Sequence, residues 1–130
     1  SLPDLLAESD IASLHTPLTP ETHHLINSES LAMMKRGALL VNLARGPVVH
    51  EAAMVEALKS GQLGGAGLDV FEQEPEVHPA LVAMPNVLLT PHLGGATREA
   101  RKLARLTAAE TVRRVIVGER PLSPLNEPSI

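Results

Sequence analysis

The chain has 130 residues, a formal net charge of -4 and 44% hydrophobic residues, enough for one ordinary domain with a buried core. Its only aromatic ring of the Phe, Tyr or Trp type is Phe71, which excludes a stacking platform for single-stranded nucleic acid, and its basic residues are scattered apart from Arg98, Arg101, Lys102 and Arg105, which argues against a phosphate-backbone binder. There is no cysteine, no apolar stretch approaching the roughly 20 residues that cross a bilayer, and no basic segment ahead of a hydrophobic one; a soluble, cytoplasmic protein without membrane or nucleic-acid partners is expected.

Leu2-Pro3-Asp4-Leu5-Leu6-Ala7-Glu8-Ser9-Asp10 reads as a helix and its exit, with no strand in front of it. Four aliphatic runs follow, at residues 11–15, 38–43, 66–70 and 87–90, separated by segments of helical spacing. That alternation predicts a parallel sheet with crossover helices. Ser28 is expected to cap a short helix through Lys35, and residues 51–60, with apolar Ala53, Met54, Ala57 and Leu58, a second helix stopped by Gly61. A shorter piece around residues 80–84 is of open type. Ala100, Leu103, Ala104, Thr107, Ala108, Thr111, Val112 and Val115 recur at i, i+3, i+4 and i+7, predicting a last helix over 97–117, about 30 Å long. Gly118 ends it, and Pro121, Pro124 and Pro128 leave the tail 122–130 extended and in need of a partner surface.

In open parallel sheets ligands sit beyond the carboxyl ends of the strands. Those ends carry His15 and Thr16 after the first run, Asn42, Arg45 and Gly46 after the second, Asp69, Glu72 and Glu74 after the third, and His92, Gly94 and Gly95 after the fourth. Arg45 taken alone reads as a strand cap. In this company it reads as an anion anchor, because a guanidinium is always charged and forks onto a carboxylate. A histidine needs a neighbouring carboxylate to fix its tautomer, and Glu74 or Asp69 can provide one. The set suits proton transfer beside a carboxylate-bearing substrate. The glycine-rich stretch 61–67 precedes a strand instead of joining strand to helix, so it reads as a helix stop and close backbone packing. His23 and His24 are adjacent, and His50-Glu51-Ala52-Ala53-Met54 lacks the second histidine of a zinc helix, so no metal site is expected. No Gly-x-Ser-x-Gly elbow supports serine hydrolase chemistry.

The segments Leu14-His15-Thr16-Pro17-Leu18-Thr19, Val41-Asn42-Leu43-Ala44-Arg45-Gly46-Pro47-Val48-Val49, Gly65-Ala66-Gly67-Leu68-Asp69-Val70-Phe71-Glu72-Gln73-Glu74-Pro75 and Thr90-Pro91-His92-Leu93-Gly94-Gly95-Ala96-Thr97 resemble the D-isomer-specific 2-hydroxyacid dehydrogenases. Within that family Glu21-Thr22-His23-His24-Leu25 and Phe71-Glu72-Gln73-Glu74-Pro75 most resemble glyoxylate/hydroxypyruvate reductases, with D-3-phosphoglycerate dehydrogenases sharing most of these words. The resemblance implies a catalytic trio: Arg45 for the substrate carboxylate, His92 as proton donor or base, and Glu74 holding the imidazole. It implies NAD or NADP as cofactor, with Thr16, Leu43, Ala44, Arg45, Asp69, His92, Gly94 and Gly95 at the cofactor site, a small 2-keto or 2-hydroxy acid as substrate, and a homodimer for the full-length enzyme. Family members usually have an acid where this chain has His50, so a weakened helix cap is expected there.

No Gly-x-Gly-x-x-Gly turn is present, nor a selector for the cofactor's ribose, nor a substrate domain. The expected fold is therefore α/β, a partial doubly wound parallel sheet with flanking helices: residues 1–130 as the C-terminal portion of a Rossmann-type NAD(P)-binding domain, inactive alone. In strand order 3-2-1-4-5-6 the chain would supply strands 3 to 6, leaving a gap between its first strand and its second. The competing reading is a non-catalytic, nucleotide-sensing module of the same fold that binds protein partners.

Overall fold

The computed structural model describes residues 1–125. They divide into two compact units, Ser1–His92 and a second beginning at Leu93. The first unit runs α1 (Leu2–Glu8), β1 (Ile11–Leu14), α2 (Ser28–Met33), β2 (Ala38–Asn42), a 3-10 turn (Gly46–Val48), α3 (Glu51–Lys59), β3 (Leu63–Leu68), α4 (Pro79–Val82) and β4 (Val87–Leu89). The short piece of open type is thus helical. The second unit is built on α5 (Arg98–Ile116), capped by Thr97, whose side chain accepts from the Ala100 N–H, and ended before Gly118. Its apolar positions stay open to solvent, with Leu103 67% exposed. Part of the expected extended tail, residues 126–130, lies outside the described residues.

The four strands form one parallel sheet in the order β1-β2-β3-β4. β1 pairs directly with β2 from Ile11↔Leu39 to Leu14↔Asn42. The expected gap between the first and second strands is therefore wrong. The crossover through α2 is long enough to bring the chain back as a parallel neighbour, which needs a dozen or more residues. All four carboxyl ends consequently open on the same rim.

Local chemistry explains the element ends. Asn27, not Ser28, caps α2: its side chain accepts from the Glu29 and Ser30 N–H groups while the Ser30 hydroxyl accepts from Asn27 N–H. The helix stops at Met33, two residues short of Lys35, because Met34 is already extended. His50 caps α3, with Nδ1 accepting from Ala53 N–H at 3.3 Å, so an imidazole fills the acid's place with a long bond. Strand β3 begins at Leu63, three residues before the aliphatic run at 66, and so includes three of the glycines of the 61–67 stretch, Gly64, Gly65 and Gly67. Gly64 is passed over in the pairing with β2, where Ala38↔Leu63 is followed by Leu39↔Gly65. A side chain at Gly65 would come within 2.7 Å of the Asn86 carbonyl oxygen.

The core lies on one face of the sheet, where Ala12, Leu14, Leu40, Ala66 and Leu68 meet Leu6, Leu31, Met54 and Leu58 from α1, α2 and α3. Met54 is fully buried, which contributes about 1.5–3 kcal/mol relative to leaving it in water. Ile11, Leu39 and Leu88 on the strands remain exposed.

Candidate active site

The turn carrying Arg45 is shaped by a buried amide. Asn42 ends β2 only 1% exposed; its Oδ1 accepts from Ala44 N–H at 3.0 Å and its Nδ2 donates to the Arg45 carbonyl at 3.0 Å. A buried side-chain amide bonded on both sides fixes the turn, since leaving either half unpaired costs about 1–3 kcal/mol. The exposed Arg45 guanidinium then donates from Nη1 to the Ala44 carbonyl at 2.7 Å, with its other donors left for an anion. Gly46 follows because there is no room for more: a Cβ there would run into the Phe71 carbonyl and the Glu72 backbone nitrogen. This contact joins the Arg45 turn to the loop after β3.

That loop delivers Glu74. Its Oε1 accepts from Phe71 N–H at 3.0 Å and its Oε2 from His92 Nδ1 at 2.9 Å. The His92 hydrogen bond, then the Phe71 N–H, hold the Glu74 carboxyl below its usual range, and the charges of His92 and Arg45 act in the same direction. Ionised Glu74 accepts from Nδ1–H, so Nε2 is the nitrogen left for a reacting group. His92 has φ +53°, a left-handed conformation rare outside glycine, which marks a position held by its surroundings. Of the two carboxylates considered for His92, Glu74 is thus the partner. Asp69 is buried and accepts from the Thr90 hydroxyl at 2.6 Å.

Thr16, Leu43, Ala44 and Arg45 line one cleft of about 580 Å³ with His15 and Leu18. Glu74 and His92 line a second of about 390 Å³ with Phe71, Pro75 and Val77. The Thr16 hydroxyl is buried and has no hydrogen-bond partner. A buried unpaired hydroxyl is rare and costly unless a ligand completes it. This orphan fits a cofactor with polar groups above the ends of β1 and β2. Gly94 and Gly95 belong to the second unit, ahead of the α5 cap.

Several contributors escaped the sequence reading. Asn42 was visible as a polar strand end, but nothing in its neighbours indicated that it builds the Arg45 turn. Glu51, Glu72 and His24 form a hydrogen-bonded group under the Glu74 loop. Their signal was an acid and a histidine without an assigned role, 48 residues apart in the case of His24 and Glu72.

A parallel sheet with flanking helices and a polar rim at its carboxyl ends is a Rossmann-type α/β arrangement. The family profile "D-isomer specific 2-hydroxyacid dehydrogenase, NAD binding domain" matches residues 1–94. The chain belongs to this family. It is 52% identical over 128 residues to a glyoxylate reductase of Thermofilum pendens, covering 97% of the chain and 38% of the relative. It is 44% identical over 127 residues to a D-3-phosphoglycerate dehydrogenase of Methanocaldococcus jannaschii, covering 98% and 24%. A crystal structure of a D-isomer specific 2-hydroxyacid dehydrogenase from Xanthobacter autotrophicus, in complex with NADPH and MES, superposes with a TM-score of 0.80 at 48% identity, over 96% of the chain and 51% of that structure. The chain thus spans about a quarter to two-fifths of the length of the two curated relatives. No helix among the described residues is long and apolar enough to cross a membrane.

Proposed function

We propose that these 130 residues form the C-terminal portion of the dinucleotide-binding domain of an NAD(P)-dependent 2-hydroxyacid dehydrogenase, which interconverts a 2-keto acid, glyoxylate or hydroxypyruvate, with its 2-hydroxy acid. The observation that carries this reading is the 2.9 Å bond between His92 Nδ1 and Glu74. The similarity to glyoxylate reductase supports the substrate class.

Thr16, Leu43, Ala44 and Asp69 are the residues that would hold the nicotinamide cofactor, which supplies or accepts a hydride when bound. Arg45 binds the substrate carboxylate by paired, charge-assisted hydrogen bonds and so orients the neighbouring keto carbon. His92, protonated, gives the Nε2 proton to the keto oxygen as negative charge develops there; in the oxidation direction it takes the hydroxyl proton. Glu74 fixes the ring and its tautomer by holding Nδ1–H. Arg45 also draws Glu74 towards its ionised form, so the anchor for the anion and the support for the acid reinforce each other.

The reading is tested in the full-length protein by glyoxylate-dependent oxidation of NADH and NADPH. Turnover that survives unchanged in both His92→Gln and Arg45→Ala would refute the roles assigned. A full-length protein that turns over no 2-keto acid yet holds a stable protein partner would favour the nucleotide-sensing module.

A further inference from the structure

Residues 24–26 run alongside 47–50 through three backbone hydrogen bonds: His24 N–H to the Pro47 carbonyl at 2.8 Å, Ile26 N–H to Val48 at 3.0 Å and His50 N–H to Ile26 at 2.8 Å. This ladder sets His24 over the start of α3, its ring 4.6 Å from that of His50 and 3.9 Å from that of His23. From there His24 Nε2 donates to Glu72 Oε1 at 2.7 Å. The other oxygen of Glu72 accepts from Glu51 N–H at 3.0 Å. The return bond is equally direct, with Glu72 N–H donating to Glu51 Oε1 at 2.7 Å.

Glu51 is only 7% exposed. An acid in the first turn of a helix interacts favourably with the helix dipole without being buried, and burying a carboxyl is costly unless it is bonded. Burial pushes the Glu51 carboxyl up, against the bond from Glu72 N–H. In Glu72 burial is outweighed by the Glu51 N–H and by His24, which hold it below its usual range. The successive N–H groups of Phe71 and Glu72 are therefore taken by two different carboxylates, Glu74 and Glu51. Among the described residues no group of three or more His, Cys, Asp or Glu is arranged to hold a metal ion.

We propose that Glu51 is a positioning residue of the active site: its reciprocal bonds with Glu72, braced by His24, lock the loop after β3 in the arrangement that presents Glu74 to His92. The inference rests on the roles given above to Glu74 and His92. Without the clamp the Glu72 N–H loses its acceptor, the loop relaxes, and His92 loses the carboxylate that fixes its ring. Arg45, on another loop, keeps its hold on the substrate carboxylate.

The test uses Glu51→Ala, Glu51→Gln and Glu72→Ala in the full-length protein, each checked for folding by thermal melting. Glu51→Ala should lower kcat for glyoxylate reduction by about ten- to a hundredfold, the scale of a small misplacement of reacting groups, with KM little changed. Glu51→Gln retains an acceptor for Glu72 N–H and should restore kcat. If Glu51→Ala does not fold, Glu72→Ala should show the same fall in kcat at little-changed KM. A folded Glu51→Ala with the parent's kcat, or one that Glu51→Gln does not outperform, overturns the proposal. Should the parent reduce no 2-keto acid, the reading of the active site fails. The NMR signal of the His92 Nδ1–H in Glu51→Ala then decides the clamp separately: loss of its hydrogen-bonded position supports the clamp and the parent's position ends it.

Discussion

Glu72 and Glu74 stand two positions apart on one loop, and each accepts a hydrogen bond from a histidine whose backbone is left-handed: His24 at φ 51° for the first, His92 at φ 53° for the second. The two pairs differ in what surrounds them. Glu72 is tied into the start of α3, whereas Glu74 and His92 face a cleft. On the readings proposed above, one pair holds a loop and the other exchanges a proton.

On the proposed function the facing pair carries the chemistry. His92→Gln in the full-length protein should lower kcat by about 10²–10⁴, the usual contribution of a positioned acid or base. Glu74→Gln should lower kcat by a smaller factor, because an amide holds the Nδ1–H and the ring less firmly than a carboxylate. Steady-state rates measure both. A Glu74→Gln rate equal to the parent's would remove Glu74 from the acid pair.

Arg45→Ala should act differently. With no fork for the substrate carboxylate, kcat/KM for glyoxylate should fall by at least about a hundredfold, the scale of a charge-assisted pair worth about 3 kcal/mol. Added guanidinium should recover part of it. Cofactor affinity, read by quenching of NADH fluorescence, should change far less.

Thr16→Val replaces the unpartnered buried hydroxyl with a methyl group. Without ligand the variant should be at least as stable as the parent, since no hydrogen bond is lost. With cofactor it should bind NADH or NADPH about five- to tenfold more weakly, the value of one hydrogen bond. Melting curves with and without cofactor report both effects, and a parent-like affinity would show that the hydroxyl meets no cofactor atom.

Acid stability should respond in opposite senses to two carboxyls. Glu74 is held below 4.5, so its contribution is complete above that value and is lost as pH falls through the lowered one. Glu51 is raised above 4.5 by burial, so its contribution is complete below that value and is lost as pH rises through the raised one. Urea midpoints measured between about pH 3 and pH 7 should show the deficit of Glu74→Gln shrinking towards acid, and Glu51→Gln gaining on the parent as pH rises.

Much of the fold was legible because its signals are local. The four aliphatic runs, the stop at Gly61 and the spacing of α5 follow from periodicity and glycine chemistry, and the strand ends collected Arg45, Glu74 and His92 without knowledge of pairing. Strand order was not legible. Nothing in residues 11–14 states which neighbour they join, and the assumed order put a gap where Ile11 and Leu39 in fact pair. The choice between Glu74 and Asp69 was equally closed to sequence, since both follow β3 and only the path of the loop sends one to His92 and the other to Thr90. The Glu51 clamp lay hidden for the same reason, its partners being 21 residues apart.

Gly46 has a consequence for how such a site can change. Its bare backbone seats against Phe71 and Glu72, so the arginine turn and the acid loop are in direct backbone contact. Gly46→Ala should cost several kcal/mol, beyond the roughly 1–3 kcal/mol of ordinary overpacking, because the obstacle is backbone. Any side chain added at that seat has to part the guanidinium's turn from the acid's loop before it can be accommodated.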